Sequence, residues 1–203
     1  MTRDRDVEAR RAAAARDLAD SGELNARIEL VEYDVAWPDR FNAEATRLAR
    51  ILPTLRWHHI GSTAVSGLLA KPIVDMMALT DDLDRPLPAL INEAGYAYPA
   101  TYNSALTRRR WLCRPSAAHR THHLHLVADR EELERHLRFR DALRANTGLA
   151  AEYAALKRRL ADAMPDDREG YTAAKTTFIT NVESATTTRP DPARADAAPR
   201  SAP

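Results

Sequence analysis

The stretch HHIGSTAVSGLLAKPIVD, residues 58–75, concentrates residue types that can handle an anion. The chain has six glycines, and Gly61 and Gly67 both fall here. Gly61 follows an apolar run and permits a tight or positive-φ turn. Ser62 and Thr63 then supply hydroxyls beside backbone N–H donors in a loop of little bulk, which suits a phosphate. Lys71 adds a point charge, and Pro72 sets the entry into the next apolar run. Asp75 alternates there with Ile73 and Met77. A carboxylate inside an apolar strand is costly unless it meets a cation or several donors.

A second group lies in RTHHLHLV, residues 120–127. His123 and His125 share one face of a strand, while His122, Leu124 and Leu126 take the other. Two imidazoles at this spacing can bind a transition metal, donate to phosphate, or act as acid and base near neutral pH. His123 and His125 are predicted to face the same cleft as Asp75, with at least one imidazole within about 8 Å of its carboxylate. Basic residues surround both groups. Alternation puts Arg108 and Arg110 on one face of a strand, and Arg120 precedes the histidines. Arg110 and Arg120 are the ones predicted to hold an anion in two-point fashion. Arg140, Lys157 and Lys175 lie on later helical segments and are predicted to point back over the sheet and close the cleft. Tyr153 with Lys157, and Tyr171 with Lys175, repeat at i, i+4.

The elements that must position these groups are legible from period and punctuation. IELVEY (28–33), LRWHHI (55–60) and PIVDMMAL (72–79) read as strands. So do YAYPATY, TRRRWLC and HHLHLVA. WPDRFNAEATRLARIL is a helix with Pro38 in its first turn and Phe41, Ala45, Leu48 and Leu52 on one face. PLPALINEAG is a short helix stopped by Gly95. Asp129 caps a helix over 130–145, with Glu132 at the reciprocal capping position. Helices over 149–163 and 168–185 follow, separated by Pro165. The prediction is an α+β fold: a mixed sheet of five or six strands followed by a C-terminal helical bundle.

Bulk composition narrows the function classes. Thirty basic and twenty-nine acidic residues nearly cancel, so no whole-chain field draws the protein to nucleic acid or membranes. The single Cys113 excludes an intramolecular disulfide and a cysteine zinc cage. No apolar run approaches the roughly 20 residues that span a bilayer, and the first twenty residues have no signal-peptide core. A cytoplasmic protein is expected. Residues 1–26 form a charged extension, 27–186 the domain, and 187–203 a Pro/Ala-rich tail expected to be disordered.

Several blocks resemble one family in order. HHIGSTAVSGLLAKPIVDMM is similar to the HIGSTAVPGLAAKPIIDI block of GrpB proteins, with Ser66 where proline is usual. IELVEYDVAWPDRF resembles their VELVPYDPEWPERF opening. RTHHLHLV, FRDALRAN, EYAALKRRLA and YTAAKTTFI resemble the remaining blocks, so that the likeness covers about residues 27–185. The resemblance implies a nucleotidyltransferase-like fold of the polymerase-β palm type. It implies a nucleoside triphosphate as ligand, Mg²⁺ as cofactor, and transfer of a nucleotidyl or phosphoryl group to a small acceptor. Gly61 and Ser62 match that superfamily's phosphate turn, and Asp75 matches its first metal-binding acid. Position 77, where the second acid is usual, is Met77, and a thioether does not suit a hard cation. The alternative is a nucleotide- or anion-binding regulatory module without transfer chemistry.

Overall fold

A computed structural model describes residues 27–187; the predicted N-terminal extension and C-terminal tail lie outside the described residues. Helix α1 (Trp37–Ile51) carries Pro38 in its first turn and buries Trp37, Glu44 and Leu48 along one stripe. Strand β1 (His58–Ile60) leads through Gly61 into a short 3₁₀ turn, Ser62–Ala64. Then come β2 (Val74–Leu79), two short helices, α2 (Leu87–Asn92) and α3 (Ala100–Ser104), and the strands β3 (Arg109–Pro115) and β4 (Arg120–Val127). Four helices end the described chain: α4 (Arg130–Ala145), α5 (Thr147–Ala163), α6 (Arg168–Ala174) and α7 (Thr176–Thr187).

The sheet order is β1-β2-β4-β3. β2 runs parallel to β4, and both outer pairs are antiparallel. Alternation then sorts side chains into two faces. Val74, Met76, Ala78, Leu124, Leu126 and Leu112 meet Trp37, Leu48, Leu90 and Tyr96 in the main core. The other face brings Met77 and Val127 against Leu133 of α4. Beyond it, Val65 and Leu68 pack into Leu143, Tyr153 and Phe178 of the helical layer. The fold is α+β with a mixed sheet and helices, as the sequence predicts.

The sheet is smaller than the predicted five or six strands. Residues 28–33 make a single bridge, Val31 to Ala70, because the passing chain turns away at Lys71–Ile73. Residues 96–102 likewise bridge only at Ala97. Pro99 then offers no N–H to a ladder and starts α3 instead. The last predicted helix is divided at Lys175. Asp129 does cap α4, accepting from the Glu131 N–H at 3.0 Å. Glu132 pairs with Arg109 at 2.7 Å.

The core face carries one buried polar knot. Glu44 is 5% exposed and accepts from Arg47 Nε at 2.9 Å, Tyr96 Oη at 2.8 Å and Arg114 Nη1 at 2.8 Å. Arg47 also donates to the Ala94 carbonyl at 2.9 Å. These bonds tie α1 to the segment after α2 and to the edge strand β3. Burial raises the Glu44 carboxyl, but the bonds from Arg47 and Tyr96 outweigh it and hold it below its usual range.

Candidate functional site

Register builds the centre of the site. Asp75 of β2 lies opposite His123 of β4, and His123 lies opposite Cys113 of β3. One step along, Met77, His125 and Trp111 form the next row of the same face. His123 Nδ1 donates to Asp75 Oδ1 at 2.9 Å, and His125 Nε2 stands 3.9 Å from the same oxygen. Burial raises the Asp75 carboxyl, but hydrogen bonds from His123 and His125 overcome this and hold it well below the carboxylate range. Burial lowers His123 to about 4 against the pull of Asp75. At neutral pH the pair is therefore an ionised carboxylate and a neutral imidazole with its proton on Nδ1. That tautomer leaves the lone pair on Nε2, which is buried and has no hydrogen-bond partner.

The glycine of the turn is explained by the same carboxylate. Gly61 sits at φ 71°, ψ −171°, a region open to glycine and strained for other residues. A Cβ there would stand 2.6 Å from Asp75 Oδ2. Gly61 lets the backbone close over the acid.

Cations from both layers gather near the pair. Lys71, between the 3₁₀ turn and β2, and Lys175, between α6 and α7, both lie over the Tyr171 ring, with Nζ at 5.5 and 4.2 Å from its centroid. Burial lowers Lys71 to about 7, helped by the like charges of Arg168, Lys175 and Arg120 and opposed by Asp75. Burial lowers Lys175 to about 8, with Asp75 and Arg168 acting in opposite directions. Arg120, at the start of β4, and Arg168, at the start of α6, are lowered by burial and feel the same field. Arg168 carried no separate signal in the sequence, since only the docking of α6 brings it here.

Three basic residues of the helical layer have a different place. Lys157 is 2% exposed, donates to Ser62 Oγ at 3.0 Å and to the Leu69 carbonyl, and is lowered by burial to about 7. Arg140 donates to the His59 carbonyl at 2.9 Å, and Arg144 to that of Ala64 at 2.7 Å. Together they fasten β1 and the Gly61–Leu69 loop to the helices. The Thr63 hydroxyl is bonded to His59 Nε2 at 3.0 Å. Ser62, Thr63, Arg140 and Lys157 thus already have protein partners, and their contribution to the site is to fix its loop.

Arg110 is not part of the cluster, and the prediction for it is corrected. Pairing of Cys113 with His123 makes Arg109 the arginine on the face of Asp75. Arg110 takes the opposite face, where it binds Asp84 at 2.7 Å and 3.1 Å. A surface cavity of about 600 Å³ opens at the C-terminal ends of β2 and β4, lined by Thr54, Thr80, Asp81 and Arg85 among others. Arg85 is already paired there with Asp81 and Asp82, and Asp75 and His123 do not line this cavity.

Comparison with known proteins agrees with the sequence blocks. Residues 27–185 match the family model described as GrpB protein. A UPF0157 protein of Pseudomonas aeruginosa is 39% identical over 161 residues, 77% of this chain and 66% of that protein. The UPF0157 protein YqkA of Bacillus subtilis is 32% identical over 160 residues, 77% of this chain and 46% of that protein. The chain thus spans less than two thirds of the length of these relatives. The crystal structure of the conserved protein GrpB from Enterococcus faecalis superposes with a TM-score of 0.68 at 35% identity, covering 78% of this chain and 96% of that one. Among the described residues no helix is long and apolar enough to cross a membrane. On sequence and on fold together, the chain belongs to the GrpB family.

Proposed function

We propose that the cleft over Asp75 binds a nucleoside triphosphate and transfers a nucleotidyl or phosphoryl group to a small acceptor, with His123 as the proton acceptor. The observation that carries this reading is the Asp75–His123 pair at 2.9 Å, set among Lys71, Lys175, Arg120 and Arg168. Asp75 fixes the imidazole tautomer, and in this reading Nε2, buried without a partner in the free protein, takes the acceptor's hydroxyl proton. The acceptor oxygen then bonds to phosphorus as the bond to the leaving phosphate breaks. The cations balance the charge that leaves on the departing oxygens.

Magnesium does not fit these residues. Asp75 offers Oδ1 to His123, its Oδ2 is packed against Gly61, and Met77 holds the place of a second acid. Among the described residues no three His, Cys, Asp or Glu side chains are grouped to hold a metal ion. Hard divalent cations select several oxygens, whereas this cleft is crowded with positive charge. No step is routed through a metal.

The second reading, a nucleotide-binding module without transfer, is favoured by Met77, which is fully buried on the same face. Calorimetric titration with ATP, GTP and CTP, with and without Mg²⁺, tests both. At least one nucleotide is expected to bind with Kd below about 1 mM without the metal. Asp75→Asn removes a negative charge from a cationic cleft, so it is expected to bind that nucleotide as well or better. Its slow turnover of the nucleotide with water should fall about a hundredfold or more, because the tautomer is lost. Binding without any turnover by the parent would favour the module, turnover unchanged in Asp75→Asn would remove the Asp75–His123 pair from the chemistry, and no binding of any nucleotide at millimolar concentration would end both readings.

A further inference from the structure

Lys71 and Lys175 come from different layers, yet both ammonium groups lie over the one Tyr171 ring. Tyr171 is 1% exposed, so the ring is a fixed floor between them. Among the described residues neither lysine has a carboxylate at ion-pair distance, and the charge of Lys175 acts on Lys71. Arg168 from the helical layer and Arg120 from the sheet add to this field, while Asp75 and Glu169 oppose it. Burying a charge is costly unless it is paired, so two half-buried lysines without a carboxylate at ion-pair distance suit an anion that completes them. The two ammonium groups reach the ring from the segment before β2 and from the junction of α6 and α7, so linked phosphates can offer a separate group to each.

We propose that Lys71 and Lys175 form a two-lysine clamp over Tyr171 for linked phosphates, a diphosphate or longer chain, which bridges the sheet and the helical layer. This rests on the reading of the cleft as a phosphate site and names the part of the ligand it grips. The linked phosphates are those of a nucleoside triphosphate or of a free condensed phosphate.

Capture of the ligand also moves protons. The groups facing Lys71 are Arg168, Lys175 and Arg120, which lower it, and Asp75, which raises it; Lys175 faces Asp75, Arg168 and Glu169. A polyanion between the two lysines favours their charged forms, so binding near pH 8 takes protons from solvent. Affinity must then fall as pH rises through about 7 to 9, as the free lysines lose their charge. In the free protein the sign is opposite. The lowered lysines bind fewer protons than the unfolded chain between about 7 and 10.5, so folding gains stability as pH rises.

The test is calorimetry of the full chain with orthophosphate, diphosphate, tripolyphosphate and ATP at pH 8, in buffers of different ionisation heat. Diphosphate and tripolyphosphate are expected to bind at least about tenfold more tightly than orthophosphate, with net proton uptake. Lys71→Met and Lys175→Met each remove an unpaired half-buried charge and should stay folded. Each should lose about tenfold or more for diphosphate and much less for orthophosphate. ATP matching tripolyphosphate would point to recognition of the phosphates alone, and ATP binding more tightly would add the nucleoside; both uphold the clamp. Diphosphate binding no better than orthophosphate, or both methionine variants binding diphosphate like the parent, would overturn it while leaving a phosphate site intact. Failure of every phosphate and nucleotide to bind would instead overturn the reading on which it rests. Should one variant unfold, the other and the proton uptake of the parent still decide.

Discussion

Glu44→Ala is expected to destabilise the protein by about 3 kcal/mol, toward the lower end of the range for breaking a buried ion pair. The carboxylate is 5% exposed and receives Arg47, Arg114 and the Tyr96 hydroxyl. Truncation leaves two guanidinium groups facing each other and a buried phenol without its acceptor. Water can reach part of both arginines, whose side chains are 32% and 36% exposed, which moderates the loss. Glu44→Gln keeps an acceptor for Tyr96 and should fall between the parent and the alanine variant. Urea unfolding reads the effect as a lower midpoint at unchanged slope. A loss below about 1 kcal/mol would mean that the knot contributes no more than a surface pair.

Gly61→Ala is expected to damage both stability and the site. The backbone conformation alone costs a non-glycine residue about 1–3 kcal/mol. The new Cβ would lie 2.6 Å from Asp75 Oδ2 and 3.2 Å from its Cβ. Asp75 cannot yield freely, because its other oxygen is held by His123. The clash must therefore displace the carboxylate, the turn, or both. Nucleotide binding and turnover should each fall about tenfold or more. Gly67→Ala is the matched control. It has φ 75° and nothing within 4 Å of the added carbon, so it should lose stability through backbone strain while binding stays unchanged. Equal effects of the two substitutions on binding would show that the Gly61–Asp75 contact has no part in the site.

These two positions also show what a sequence can disclose. Glu44 and Arg47 look like an ordinary i, i+3 surface pair, and nothing local says that Tyr96 and Arg114 will bury them. Asp75 stood out because one carboxylate in an apolar run has no packing explanation, and the i, i+2 spacing of His123 and His125 placed them on one face. Whether that face is the face of Asp75 depends on the β2–β4 register, which alternation permits but does not specify. The same gap misassigned Arg110. Three consecutive arginines cannot reveal which of them shares a face with His123 until Cys113 is paired with it. Segment 28–33 shows the reverse error: its alternation is real, but a strand also needs a partner, and among the described residues only Ala70 provides one. Arg168 and Lys175 come near Asp75 through docking of the last helices, a tertiary event with no local signature. The family resemblance identified the blocks, and Met77 is where this chain departs from the superfamily's pattern.

The central claim is that ligand docks at the Asp75–His123 pair, and imidazole nitrogen NMR during an ATP titration tests it most directly. In the free protein His123 should show a neutral ring with its proton on Nδ1. Saturating ATP should shift the Nε2 resonance of His123, as its lone pair gains a partner or a proton. His136, held by the Glu132 carbonyl within α4, should stay in place. Saturation of the protein with ATP while both nitrogens of His123 remain unmoved would contradict the account.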